Sequence, residues 1–220
     1  MHFDKIKNKG QARLFQSEYL EIMTKTHPLV IYSIYFPIIA FLLYYGDAYK
    51  QLSAMNEVLL FISGAFFWTL FEYLMHRYMF HIISENPRLQ KIIYKLHGVH
   101  HEFPRDKERL FMPPVPSIIV ACIMFSITYS IMGWNALAFF PGFVFGYLLY
   151  GSMHFAIHAF PPPRALKALW RNHHLHHYKS DAQGFGVSSV LWDIVFRTVP
   201  EKEEHTQAVQ REGEHSNTAA

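Results

Sequence analysis

Polar and apolar residues fall in long blocks along this chain, without the short periods of a soluble fold. Residues 29–45 (LVIYSIYFPIIAFLLYY) carry no charge, and 58–71 (VLLFISGAFFWTLF) continue apolar through Met75 apart from Glu72. From Leu110 to Met153 there is no charged residue at all. A bilayer core takes about 20 helical residues, so this last block suits two crossings, with Gly133-Trp134-Asn135 as the turn between them. The pattern predicts an all-α integral membrane protein with four transmembrane helices, over 28–46, 57–75, 115–133 and 136–153.

Between and after these blocks the chain is polar. Spans two and four run on into "EYLMHRYMFH" and "GSMHFAIHAF"; Pro104 and "MPPVP" at 112–116 mark the re-entry into span three, and Pro161–Pro163 end span four. The pattern predicts an N-terminal interfacial arm (1–27), a membrane domain (28–199) with a helical cap from 76–112 and 154–199, and a disordered tail (200–220). The charged leader lacks an A-x-A-like cleavage site, so the first apolar block reads as a retained span.

Charge gives the expected orientation. Of the 20 Lys and Arg, only Lys50 lies in the first connection and none in the turn at 133–135. The other 19 share one side of a four-span bundle, so the cap and both termini are expected to be cytoplasmic. That means the inner membrane of a bacterium or the endoplasmic reticulum of a eukaryote. The net charge of +3 fits a face toward anionic headgroups and not a nucleic-acid surface. The single Cys122 excludes a disulfide framework and a cysteine-based zinc site.

The chemistry lies in the histidines, 15 in 220 residues. Four groups stand out: His76 and His81; His97, His100 and His101; His154 and His158; His173, His176 and His177, with His174 inserted. Positions i, i+3 and i+4 share a helix face, so three groups direct their imidazoles one way. His76 and His81, at i and i+5, diverge by roughly 140° on an α-helix, which suits two different metals or a straddled site. All four groups lie beyond the same ends of spans two and four and converge on one cap. His2, His27, His205 and His215 lie outside these groups and take no role.

Neutral imidazole is the commonest metal ligand, and a metal removes the cost of crowding these rings. Ten imidazoles exceed what one zinc takes; two six-coordinate redox ions with about five nitrogens each fit better. Iron is the natural candidate, pointing to O2 activation against an acyl C–H bond. A bis-histidine haem would place its pairs inside the spans, and a zinc hydrolase would carry H-E-x-x-H, which is absent. Glu72, four residues before His76, is a candidate acceptor for a ligand N–H, or merely ends the span.

In this order, "HRYMFH", "HGVHH", "HFAIH" and "HHLHH" resemble the histidine boxes of the fatty acid hydroxylase superfamily of integral membrane diiron enzymes. Within it, "HHEFPRDKERLFMPP" (100–114) and "GFGVSSVLWDIVFRT" (184–198) are similar to the fatty acid 2-hydroxylase branch, which acts on sphingolipid acyl chains. The resemblance implies four spans, a cytosolic cap, two iron ions (with zinc able to occupy the site in purified protein) and hydroxylation by O2 next to the acyl carbonyl. It implies ligation by His76, His81, His97, His100, His101, His154, His158, His173, His176 and His177, with His174 a bystander. Glu72 and Asp193 would be supporting residues, and Asp106 and Arg109 would shape the cap. Eukaryotic members commonly carry an N-terminal cytochrome b5 domain; "THPLV" at 26–30 lacks its glycines. Electrons are therefore expected from a separate cytochrome b5 or ferredoxin. Hydroxylation of a sterol, carotenoid or amino-lipid, desaturation by the same cofactor, and a non-enzymatic metal or haem electron-transfer protein are the competing readings.

Overall fold

The computed structural model describes residues 6–50 and 52–200, all of them helical or irregular, with no strand. His2, His205, His215 and the tail expected from 200 onward, apart from Pro200, lie outside the described residues. The helices in chain order are α1 (Glu18–Ile22), α2 (Pro28–Lys50), α3 (Ala54–Met75), α4 (Pro87–Ile93) and α5 (Val99–Glu102), then α6 (Pro114–Met132), α7 (Ala136–Ala159), α8 (Lys167–Tyr178) and α9 (Leu191–Val195). Their ends follow local chemistry. Ser53 accepts from Asn56 N–H at the start of α3, and Asn86 accepts from Arg88 N–H before Pro87 opens α4. Gly133, at φ +55°, closes α6.

Three stretches are long and apolar enough to cross a membrane: Pro28–Lys50, Ala54–Phe80 and Lys107–Ala159. The sequence pattern predicts four separate spans. The third stretch instead runs 53 residues, because the 3-10 turn Gly133–Asn135 joins α6 to α7 without a charged break. Its two helices pack together, with the Phe125 and Phe140 rings 5.2 Å apart. Outward faces are apolar: Ile62, Phe66, Ile119 and Ile123 are each more than half exposed.

The centre of the bundle is the pair α3 and α7. A Cβ on Gly64 would fall 2.0 Å from the Phe139 carbonyl oxygen, and one on Gly142 would fall 1.9 Å from that of Phe61. Glycine lets the two backbones touch, as small residues do between membrane helices. The matched positions rise together along both chains (Phe61 with Gly142, Trp68 with Gly146), so the helices run parallel and end on one side. Their last turns carry His76 and His154. Ile31, Tyr35 and Ile39 of α2 pack against Phe140, Phe143 and Leu148 of α7 to complete the apolar core.

The arm at 6–27 is irregular apart from α1 and lies along the segment after α5. Lys7 N–H donates to the Glu102 carbonyl at 2.7 Å and Thr26 N–H to that of Glu108 at 2.8 Å. Glu21, buried although it sits on a short surface helix, pairs with Arg109, which also donates to Asp106 at 2.7 Å.

Candidate metal centre

Two of the histidine groups owe their direction to a non-α turn. After Met75 the chain continues as a π-helical turn, His76–Phe80, and after Ile93 as another, Tyr94–Gly98. A π-turn closes its hydrogen bond five residues along and recurs at functional sites. It therefore brings i and i+5 round to one side. The divergence expected for His76 and His81 on an α-helix does not occur: their Nε2 atoms are 3.3 Å apart.

All ten predicted histidines gather around the C-terminal ends of α3 and α7, in two groups of five. The first is His76, His81, His97, His101 and His176; the second is His100, His154, His158, His173 and His177. Within each, the five candidate ligand nitrogens lie within 4.8 Å of one another. The shared-face expectation for H-x-x-H-H needs correcting. In each motif the i and i+4 rings enter one group and the i+3 ring crosses to the other. His97 and His101 go to the first and His100 to the second, while His173 and His177 go to the second and His176 to the first. The 100° between neighbours on a helix is the cause: two sites side by side divide one broad face. Each group thus takes one pair from a long helix, one i, i+4 pair and one crossing ring. The two groups adjoin where His101 and His177 stack, 4.2 Å between centroids.

The donor set fits a metal. Nε2 atoms meet at 2.8 Å (His154 with His100, His158 with His173), 2.9 Å (His101 with His97) and 3.1 Å (His76 with His97, His177 with His173). Two bonds of about 2.1 Å to one ion at a right angle put their nitrogens about 3.0 Å apart. His76 Nδ1–H donates to the Phe185 carbonyl at 2.6 Å, His176 to Gln183 at 2.7 Å and His154 to Leu110 at 3.1 Å. Those bonds fix the tautomer and leave each Nε2 with its lone pair facing inward. Facing lone pairs repel unless a cation lies between them.

Burial first, and then neighbouring imidazoles, hold His97, His100, His101, His173 and His177 well below the ordinary histidine range. Burial and His76 push His81 down to about 2, and burial and His81 push His176 down to about 3. The rings are therefore neutral at pH 7, as ligation requires. His174 is exposed, donates its Nδ1–H to the Trp170 carbonyl at 2.7 Å, and belongs to neither group.

The predicted supporting residues act one layer out. Glu72 does not accept from a histidine; its carboxylate takes the N–H groups of Val187 (2.7 Å) and Ser188 (2.9 Å) and the Ser188 hydroxyl. Glu72 and His76, four residues apart on one helix face, both meet the 184–188 loop, His76 at Phe185 and Glu72 at Val187 and Ser188. Asp193, fully buried, accepts from Phe185 N–H, Gly186 N–H, the Asn172 amide and the Thr198 hydroxyl at 2.8–3.0 Å. Together they hold the loop whose Phe185 carbonyl orients His76. Asp106 and Arg109, with Glu21, brace the segment that presents the Leu110 carbonyl to His154. Sequence reasoning missed Glu21, Asn172 and the three carbonyls. Only "GFGVSS", with Gly184 at φ +74°, signalled a chain turning tightly against something.

A family model for fatty acid hydroxylase matches residues 61–198, which contain all ten clustered imidazoles. The chain belongs to the fatty acid hydroxylase family. This hydroxylase-family chain is 37% identical over 194 residues to the ceramide very long chain fatty acid hydroxylase SCS7 of Saccharomyces cerevisiae, covering 86% of this chain and 50% of that one. It is 33% identical over 198 residues to the dihydroceramide fatty acyl 2-hydroxylase FAH1 of Arabidopsis thaliana, covering 89% and 83%. A solved structure described as full-length scs7p, with only the hydroxylase domain visible, superposes with a TM-score of 0.81 at 35% identity, covering 88% of this chain and 74% of that one. The chain thus spans half the length of the yeast relative and most of the Arabidopsis one.

Proposed function

We propose that this chain is a membrane fatty acid 2-hydroxylase, acting on the acyl chain of a ceramide or another sphingolipid at the carbon next to the carbonyl. The observation that carries the reading is the pair of five-imidazole groups inside the fatty acid hydroxylase match. The substrate class follows from relatives named for ceramide and dihydroceramide acyl hydroxylation. The balance is O2, two electrons, two protons and one C–H bond giving one C–OH and one water.

The ten histidines hold two iron ions in this reading, which supply O2 activation when bound. Phe185, Gln183 and Leu110 carbonyls keep the protons of His76, His176 and His154 on Nδ1, so that Nε2 stays available. Val99, Phe103, Ile157 and Val187, all buried, exclude bulk water around the rings. Glu72, Asp193, Asp106 and Arg109 are positioning residues. α6 and α7 cross separately, giving four spans, with residues 28–199 as the catalytic domain, 1–27 as an interfacial arm, and 76–112 with 154–199 as a cytoplasmic cap that shares its side with both termini. A separate carrier of cytochrome b5 or ferredoxin type supplies the electrons.

Expression in a host lacking 2-hydroxylated lipids, followed by lipid mass spectrometry, tests this. The expected result is a gain of one oxygen located at carbon 2 by fragmentation, lost in His97→Ala and His176→Ala variants. Loss of two hydrogens without added oxygen would make the protein a desaturase, and oxygen on a sterol or carotenoid would replace the substrate class.

A further inference from the structure

The exposed face of α8 has no role so far. Its inner face carries His173, His176 and His177. On the outer face, Lys167, Arg171, His174 and Tyr178 are all exposed at i, i+4, i+7 and i+11, one continuous stripe on a helix. Arg164, just before α8, and Lys179, just after it, extend the stripe at both ends and are also exposed. From residue 109 to residue 180 the chain contains no aspartate or glutamate. Among the described residues, none of Arg164, Lys167, Arg171 and Lys179 forms an ion pair.

The stripe also lies beside the second group of imidazoles. The His174 ring is 6.4 Å from that of His158, and the Tyr178 ring is 6.4 Å from that of His177. His174 and Tyr178 stack on one another at 6.1 Å and 14°. A cavity of about 250 Å³ opens here, lined by His158, Phe160, His174, Tyr178 and the exposed, unpaired Arg105. Two exposed rings thus connect solvent to two members of the second group, inside an unneutralised ring of positive charge. The outward face of the spans looks different: it carries bare apolar side chains, as at Ile119 and Ile123.

We infer that the outer face of α8, with Arg105, is the docking surface for an acidic one-electron carrier protein, and that His174 and Tyr178 mark the point of electron entry. This rests on the oxygenase reading, whose balance requires two electrons. Two successive encounters would each oxidise one carrier by one electron, together supplying the two electrons of that balance to the centre the ten histidines would hold. Opposite charge steers such encounters and raises their rate without a large interface.

The test uses the full chain in neutral nanodiscs and, as probe, the soluble haem domain of a cytochrome b5. Binding is titrated on zinc-loaded protein, and reoxidation of the reduced probe is followed by stopped flow on iron-loaded protein with O2. Lys167→Glu/Arg171→Glu is expected to weaken binding and slow reoxidation about tenfold or more at low salt, the difference closing as salt screens the charges. Metal content and hydroxylation driven by a small chemical reductant should match the wild type. Wild-type protein that does not bind the probe, or a double variant that binds and reoxidises it unchanged, overturns the inference. So does an equal loss with the chemical reductant, which would make the face part of the substrate site. Lost affinity for anionic vesicles with unchanged probe kinetics would make it a lipid contact. Salt-sensitive probe binding in a wild type that hydroxylates nothing under either reductant would leave the docking surface standing and remove the oxygenase reading instead.

Discussion

The two imidazole groups have the same composition and are braced from opposite ends of the chain. In the first, His76 and His176 are oriented by carbonyls at 185 and 183, in a loop that Glu72 and Asp193 grip from both sides. In the second, only His154 has such a carbonyl, at Leu110, and the Nδ1 atoms of His100, His173 and His177 are buried without a protein hydrogen-bond partner. Leu110 follows the segment tied to the N-terminal arm through Arg109 and Glu21. The second group therefore relies more on packing, such as the Tyr150 ring lying parallel to His154 at 5.7 Å. Identical ligand sets do not require identical scaffolds, and the difference gives each group its own point of failure.

The sharpest way to separate them is to remove one ring from each. His173→Ala should reduce bound metal from two ions per chain to one at most, measured by plasma mass spectrometry, with hydroxylation falling below detection; His97→Ala should do the same from the other side. Acid should act on both groups at once. Rings held below 6.5 in the folded chain resist protons that the unfolded chain takes up as the pH falls through about 6.5. Folding stability is thus intact above that pH and declines below it, by up to about 1.4 kcal/mol per pH unit for each such imidazole. Melting temperatures of metal-free protein between pH 7.5 and pH 5, on either side of about 6.5, check this; in metal-loaded protein, an acid step that empties one group alone would break the symmetry.

Asp193→Ala should strike the first group selectively. It strands the buried N–H groups of Phe185 and Gly186 and removes one acceptor from Asn172 and Thr198, at an expected cost of about 3 kcal/mol or more, read as a lower melting temperature and a first ion that exchanges faster than the second. Glu21→Gln should do the reverse more gently. The amide keeps part of the hydrogen bonding and loses the charge opposite Arg109, at about 1–2 kcal/mol, and the second ion should then exchange faster. His174→Ala should leave both ions in place, which metal analysis can check against His173→Ala.

Much of this arrangement is legible in the sequence, and the gaps have physical causes. Uncharged blocks of helix length reveal the bundle because hydrocarbon tolerates few alternatives. Crowded imidazoles reveal the site because only a shared cation makes them compatible. The facing of His76 and His81 is not legible, since a π-turn differs from an α-turn by a hydrogen-bond shift that composition does not encode. Nor is the division of each H-x-x-H-H motif, because spacing gives a face and not the number of sites that share it. Glu21 is hidden for another reason: a carboxylate on a short surface helix looks solvated until Arg109, far along the chain, closes over it. Backbone carbonyls such as Phe185 carry no signature at all.

The crossing of one ring from each motif has a consequence for assembly. His100 and His101 are adjacent on α5, His176 and His177 on α8, and in the proposed two-ion centre the neighbours would in each case serve different ions. Whichever ion arrived first would immobilise both short helices, so part of the ordering entropy of the other site would already be lost when the second came. Affinity gained by the second must equal affinity gained by the first from its presence. Loading of the proposed centre would then be cooperative, half-filled molecules would be scarce, and a lone redox metal would seldom meet oxygen without its partner.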